Sequence, residues 1–212
     1  KYKFDIIIHL AAQPGVRYSL KNPYSYIKNN LDVFGVILEY ARIKKVKLIY
    51  ASSSSVYGDS KNFPLKENYK LNPKNIYAVT KKNNEELAEI YSKQFDLSIV
   101  GIRFFTVYGE WGRPDMFLIK FFEYMKKGKV FPLYNNGNHF RDFTYINDLL
   151  KMLYPLIKDN NKLIKKEHIL YNICSGKSKN IKTIIKFLIK ITGYNKIKYL
   201  SYLNTEVKKT HG

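Results

Sequence analysis

The sequence predicts an α/β fold: a doubly wound parallel sheet followed by a smaller α+β region. Three observations predict it. Apolar, strand-like runs alternate with amphipathic helical stretches across residues 4–103, the rhythm of a parallel sheet covered on both faces. The polar and hydroxyl-bearing residues gather where those runs end, at 9–13, 52–55 and 104–109, and open parallel sheets bind ligands beyond the C-terminal ends of their strands. After Glu110 the rhythm changes.

Phe4 to Leu10 contains the apolar run Ile6-Ile7-Ile8 and reads as a buried strand. Pro14 and Gly15 mark the loop after it. From Tyr24 to Lys44 apolar residues recur at helical spacing, at Ile27, Leu31, Phe34, Ile37, Leu38 and Ala41. Lys47 to Ala51 is a second strand, closed by the hydroxyl cluster Ser52 to Ser55. Asp59 to Asn75 is polar and contains proline, hence a loop. Tyr77 to Phe95 is a helix and Leu97 to Arg103 a third strand. Beyond it, Met116 to Lys127 is amphipathic and Val130 to Asn138 irregular, with a turn at Asn136-Gly137. Tyr145 to Lys158 reads as a helix, followed by a charged stretch with Lys162, Lys165, Lys166 and Glu167. Ile169 to Ile173 is a short strand, and Ile181 to Ile191 a helix stopped by Gly193.

Composition narrows the function. The 212 residues are 45% hydrophobic and include 19 Tyr and 13 Phe, enough for a packed core. The net charge of +20 raises anionic partners. Yet the basic residues are dispersed in pairs such as Lys44-Lys45 and Lys81-Lys82, with no run of five. That pattern is a solvated lysine-rich surface, and it counts against nucleic acid or a membrane as partner. The single cysteine, Cys174, allows no disulfide within the chain and fits the cytoplasm. No apolar stretch of about 18 residues occurs, so no membrane span is expected. The chain starts at Lys1 and enters a buried strand at once, so an N-terminal segment is expected to be missing.

The sharpest local feature is Tyr77-Ala78-Val79-Thr80-Lys81. Tyr and Lys four apart on a helix share one face. An ammonium beside a phenol favours the phenolate and makes tyrosine a usable base. Such a pair alone is common on ordinary helix surfaces. Its context is the four-hydroxyl cluster Ser52 to Ser55 two dozen residues earlier, able to bind a substrate hydroxyl or carboxylate.

Five segments occur in order: His9-Leu10-Ala11-Ala12-Gln13, Ser52 to Gly58, Tyr77 with Lys81, Arg103 to Gly109, and Arg141 to Tyr145. Together they resemble the extended short-chain dehydrogenase/reductases that act on nucleotide-sugars, the NAD-dependent epimerase/dehydratase family, and most of all its UDP-glucuronate 4-epimerases. The resemblance implies a Rossmann-like sheet with residues 1–110 as a partial NAD-binding domain and 111–212 as mainly a partial substrate-binding region. The family's glycine-rich pyrophosphate loop would precede Lys1, and its last helices would follow Gly212.

The resemblance also implies roles. Tyr77 is the base that takes the proton of the sugar 4-hydroxyl, Lys81 holds it near the phenolate and binds the nicotinamide ribose, and Ser53 bonds the 4-oxygen. Ala11, Ala12 and Asn30 line the NAD site, although Asn30 also reads as a polar residue near a helix start. Arg113 clamps a C6 carboxylate, with Ser54, Ser55 and Thr106 adding hydrogen bonds. Arg141 grips the diphosphate, and Arg17 faces the substrate. No metal is implied. The substrate is a UDP-sugar, and a homodimer is expected through the helices 24–44 and 77–95.

Glu110 stands where the family usually has Pro, and His139 where it has Gln, Ser or Thr. Related dehydratases carry Asp-Glu at 54 and 55, and the decarboxylases Glu at 55; Ser at both favours plain epimerisation. Other readings stay open: a UDP-N-acetylhexosamine or UDP-galactose 4-epimerase, an inactive fragment, or a basic nucleic-acid-binding module.

Overall fold

The structure, a computed structural model, describes residues 3–158, 166–201 and 206–212. Strands β1 (Ile6–His9), β2 (Lys47–Ser53) and β3 (Ile99–Phe104) lie side by side and parallel, and β7 (His168–Ile173) extends the sheet beyond β3. All three pairings are parallel, with Ser52 opposite Arg103 and Ser53 opposite Phe104. Their apolar residues need cover on both faces, as the unbroken runs predict. On one face Phe34, Leu38 and Ala41 of α3 (Val33–Lys44) and Ala88 of α4 (Ile76–Phe95) pack on Leu48, Tyr50 and Ile99. On the other, Leu149 and Leu153 of α6 (Ile146–Lys158) pack on Ile49, Val100 and Ile102. The sheet is doubly wound.

Gly101 is glycine for a steric reason. A Cβ there would stand 2.5 Å from the Tyr50 hydroxyl and 2.6 Å from Leu170, so the Tyr50 ring crosses β3 only where a side chain is absent.

The helix read from Tyr24 to Lys44 is one rod with a change of winding. It runs as α2 (Pro23–Tyr26), a π-helical segment (Ile27–Asp32) and α3. Such π turns are frequent at functional sites. A short α1 (Val16–Lys21) precedes it. In α4, Asn75 caps the start by accepting a bond from the Ala78 N–H at 2.9 Å.

The second half holds more strands than its sequence predicts. Between β4 (Thr106–Tyr108) and β6 (Phe140–Tyr145) the pairing is parallel, and β8 (Ser178–Asn180) joins β6 antiparallel. The stretch 130–138, read as irregular, contains β5 (Phe131–Tyr134), which pairs in parallel with β9 (Ile197–Leu200). The turn at Asn136-Gly137 is present as a short 3₁₀ segment. Around β5, the helices α5 (Phe117–Lys126) and α7 (Ile181–Thr192) close a separate core with Phe121, Phe131, Leu133, Ile185 and Leu188. The division at residue 110 is crossed: β7 and α6 belong to the first sheet and its cover. The charged stretch containing Lys162 and Lys165 lies outside the described residues. Among the described residues no helix is long and apolar enough to cross a membrane, and no cluster of ligating side chains could hold a metal ion.

Candidate active site

Ala11 and Ala12 follow β1, Ser53 to Ser55 close β2 with Tyr77 and Lys81 beside them, and Thr106 follows β3, so these residues gather at the C-terminal ends of those strands. At the end of β2 the chain turns into a 3₁₀ segment, Ser54–Tyr57, capped by Ser53, whose hydroxyl accepts the Ser55 N–H at 3.2 Å and the Ser55 hydroxyl at 2.9 Å. The Ser53 hydroxyl stands near enough to the Tyr77 phenol to favour its ionised form. Ser54 is buried and Ser55 half-buried beside it.

Tyr77 and Lys81 occupy one face of α4, as their spacing predicts. Lys81 is 3% exposed, and its ammonium donates to the Ala51 carbonyl at 2.7 Å. Burial lowers its pKa to about 8. Burial also raises the Tyr77 phenol above its ordinary value, opposed by the nearby Ser53 hydroxyl and the positive charge of Arg113, while Asp115 pushes it further up. The expectation that Lys81 keeps Tyr77 near the phenolate is therefore not met in the chain alone. The ammonium is turned to a backbone carbonyl, and desolvation of the phenol dominates.

Whether the residues suit a nicotinamide nucleotide is answered by Lys81. Its three N–H donors meet one acceptor, the Ala51 carbonyl, so a desolvated cation presents two further donors at the strand ends. Ribose hydroxyls suit such donors. Ala11 and Ala12 lie in the loop after β1 at the same edge. Asn30 is buried, and the π turn aims it at that loop. Its Oδ1 accepts the Gln13 N–H at 2.7 Å, and its Nδ2 donates to the Gln13 carbonyl at 3.1 Å and to the Thr80 hydroxyl at 3.0 Å. Its amide is thus spent on bracing the loop against α4.

Arg113 lies close enough to Tyr77 for their charges to interact. Its Nε and Nη2 are engaged by the two carboxylate oxygens of Asp115 at 2.9 and 3.0 Å. The Nη1 edge of the guanidinium is what remains for a substrate. Thr106 opens β4 and lines an apolar cavity of about 190 Å³ shared with Tyr108, Gly112, Met116, Ile119 and Phe143.

Arg17 and Arg141 form a second cluster with His139 and Glu206. Arg17 donates from Nε to Glu206 Oε1 at 2.6 Å and lies 3.9 Å over the Tyr134 ring. Arg141, on β6, donates to the Phe140 carbonyl at 2.9 Å. Burial and the charge of Arg141 lower the pKa of His139 well below its ordinary value, so it is neutral at pH 7. The loop carrying Gly15 links the two clusters. Tyr26 bonds the Pro14 carbonyl at 2.7 Å while its ring meets Tyr77 edge-on at 6.2 Å.

Asp115, Glu206 and Tyr134 carry no sequence signal of their own. The pair Glu85 and Arg103, buried behind the site, did carry one: an arginine inside an apolar strand, and a glutamate at the next helical step after Tyr77 and Lys81.

Comparison with known proteins agrees with this arrangement. The model of the NAD dependent epimerase/dehydratase family matches residues 1–174. An uncharacterized protein of Methanocaldococcus jannaschii is 40% identical over 209 residues, covering 98% of this chain and 59% of its own. UDP-glucuronate 4-epimerase 4 of Arabidopsis thaliana is 45% identical over 154 residues, covering 70% of this chain and 35% of its own. The chain thus spans less than two thirds of the length of these relatives. Among solved structures, UDP-glucuronic acid 4-epimerase from Bacillus cereus in complex with UDP-glucuronic acid and NAD superposes with a TM-score of 0.90 at 34% identity, over 98% of this chain and 66% of that one. On the family match and the shared fold, the chain belongs to the NAD dependent epimerase/dehydratase family.

Proposed function

We propose that the full-length protein is an NAD-dependent nucleotide-sugar 4-epimerase that interconverts UDP-glucuronate and UDP-galacturonate. The observation that carries this reading is the convergence of a tyrosine, a serine and an arginine: Tyr77 beside Ser53, with Arg113 close enough for its charge to act on the phenol. The relatives and solved structures named for UDP-glucuronate support it.

NAD supplies a reversible hydride acceptor for C4 of the sugar. Tyr77, once ionised, accepts the proton of the 4-hydroxyl and returns it when the alcohol re-forms on the opposite face. Its raised pKa has to fall for this role, and cation charge brought toward the phenol on ligand binding works in that direction. Ser53 donates to the same oxygen as charge gathers there. The resulting 4-keto uronate is a β-keto acid that loses carbon dioxide when its carboxylate can align. Arg113 holds that carboxylate with Ser54, Ser55 and Thr106 as further donors. Arg17 and Arg141 bind the diphosphate. Homodimerisation through α3 and α4 is part of the same reading, as is a cytoplasmic location.

One observation favours a second reading. Asp115 already occupies one edge of Arg113, which suits a neutral UDP-N-acetylhexosamine or UDP-galactose. Product analysis of Arg113→Ala separates the two. For the uronate, the variant binds UDP-glucuronate at least tenfold more weakly than the wild type does, as loss of a charge-assisted pair implies, and part of its turnovers release carbon dioxide and a 4-keto pentose. Unchanged affinity without decarboxylation moves the neutral-sugar reaction to first place.

A further inference from the structure

We propose that Glu85 and Arg103 are positioning residues for Tyr77: their buried pair sets the register of α4 on the end of β2 and so holds the phenol against Ser53. The catalytic meaning of this rests on the proposed function, whereas the positioning itself does not. Tyr77, Lys81 and Glu85 follow one another at four-residue spacing on one face of α4. They meet three consecutive residues of β2. The Tyr77 phenol stands near Ser53, Lys81 donates to the Ala51 carbonyl at 2.7 Å, and the Ser52 hydroxyl donates to Glu85 Oε1 at 2.5 Å. The first two contacts face the site. The third lies behind it and joins a wider network.

Arg103, on β3 opposite Ser52, donates from Nε to Glu85 Oε1 at 2.8 Å and from Nη2 to Oε2 at 2.7 Å. The two side chains are 2% and 5% exposed. Both Nη1 donors are used as well, on the Tyr57 hydroxyl at 2.7 Å and the Glu67 carbonyl at 2.9 Å. The Tyr57 hydroxyl in turn donates to Asn172 of β7 at 2.8 Å. A buried pair of this kind is a poor device for stability alone, because apolar side chains of similar volume serve at least as well. What it adds is direction. A carboxylate that takes a two-pronged guanidinium from β3 and a hydroxyl from β2 admits one placement of its helix, since sliding or rotating α4 breaks one of these bonds. Two turns along that helix stands Tyr77.

The test uses the full-length protein carrying ¹³Cζ-labelled tyrosine, with the Tyr77 signal assigned through Tyr77→Phe. In Glu85→Gln the Tyr77 signal is expected to move in the direction that it takes in Ser53→Ala, while circular dichroism and tyrosine signals outside the network stay unchanged. The epimerisation kcat is expected to fall about tenfold or more with KM changed less than about twofold, and Tyr77→Phe/Glu85→Gln to be no slower than Tyr77→Phe. Ser52→Ala cuts only the bond from β2 and leaves the ion pair whole. It is expected to show the same changes in smaller degree and decides the matter if Glu85→Gln does not fold. A Tyr77 signal unmoved in both variants, or a Glu85→Gln penalty undiminished in the Tyr77→Phe background, overturns the proposal. If the wild type turns over no nucleotide-sugar, the functional reading fails by itself, and the Tyr77 signal still decides the positioning.

Discussion

Lys81 is a cation kept where solvent would not leave it, and that has a measurable cost. Its pKa is about 8 when folded, against 10.5 for an ordinary lysine. Between these values the folded chain binds fewer protons than the unfolded one, so stability rises with pH from about 8 to 10.5. Below pH 8 the whole penalty is present, about 3 kcal/mol. Lys81→Met is therefore expected to stabilise the ligand-free protein by about 2 kcal/mol at pH 7, after the Ala51 carbonyl loses its donor, while removing turnover. Denaturant unfolding at pH 7 and pH 10 checks this, because the advantage shrinks at the higher pH. That Tyr77 and Lys81 share one face of α4 was legible because helical spacing dictates it, whereas Ser53 was singled out only by the family resemblance. Arg17 was read as a substrate residue without its partner, Glu206, which stands 189 positions away. No local pattern encodes such a contact.

Among the elements, the parallel strands β1 to β3 were legible because burial on both faces demands continuous apolar runs. The strands β4, β5, β8 and β9 were not. They are three or four residues long, and pairs such as Phe131 with Ile197 are made by tertiary packing that overrides weak local preference. The π turn was invisible because the apolar period continues through it. Another consequence of packing shows on β7. His168 stacks on Tyr50 and bonds its hydroxyl at 2.9 Å, and burial pushes its pKa down to about 4. A histidine buried neutral loses stability to the unfolded state as pH falls from 6.5 toward 4. His168→Gln is expected to make the acid limb of stability shallower by about 2 kcal/mol over that interval, allowing for partial exposure. Unfolding midpoints measured at pH 7, 5.5 and 4.5 would reveal it, and parallel curves for variant and wild type would exclude this origin.

For the whole molecule, the outward faces of α3 and α4 are more apolar than solvent favours. Val36 and Ile43 are 67% and 64% exposed, and Leu87 and Ile90 also face outward. Scattered apolar residues are ordinary on surfaces, but helices that share a face in this way suit self-association. On the proposed homodimer, Val36→Glu combined with Ile90→Glu is expected to give a monomer in sedimentation velocity. An unchanged sedimentation coefficient would place the contact elsewhere.

The segment 206–212 has a consequence in time as well as in space. Within a few residues it bonds Asp59, Leu65, Phe140 and Asp142, partners laid down long before it. Contacts of such separation are slow to close and bring no stability until both ends exist. During synthesis the parallel sheet can gather early, yet Arg17 waits for Glu206. The part of the site around Arg17 is therefore expected to mature later than the β2–α4 core. Nascent chains arrested before and after this segment emerges should differ in protease resistance at the loop containing Arg17 while sharing the same resistant β2–α4 core.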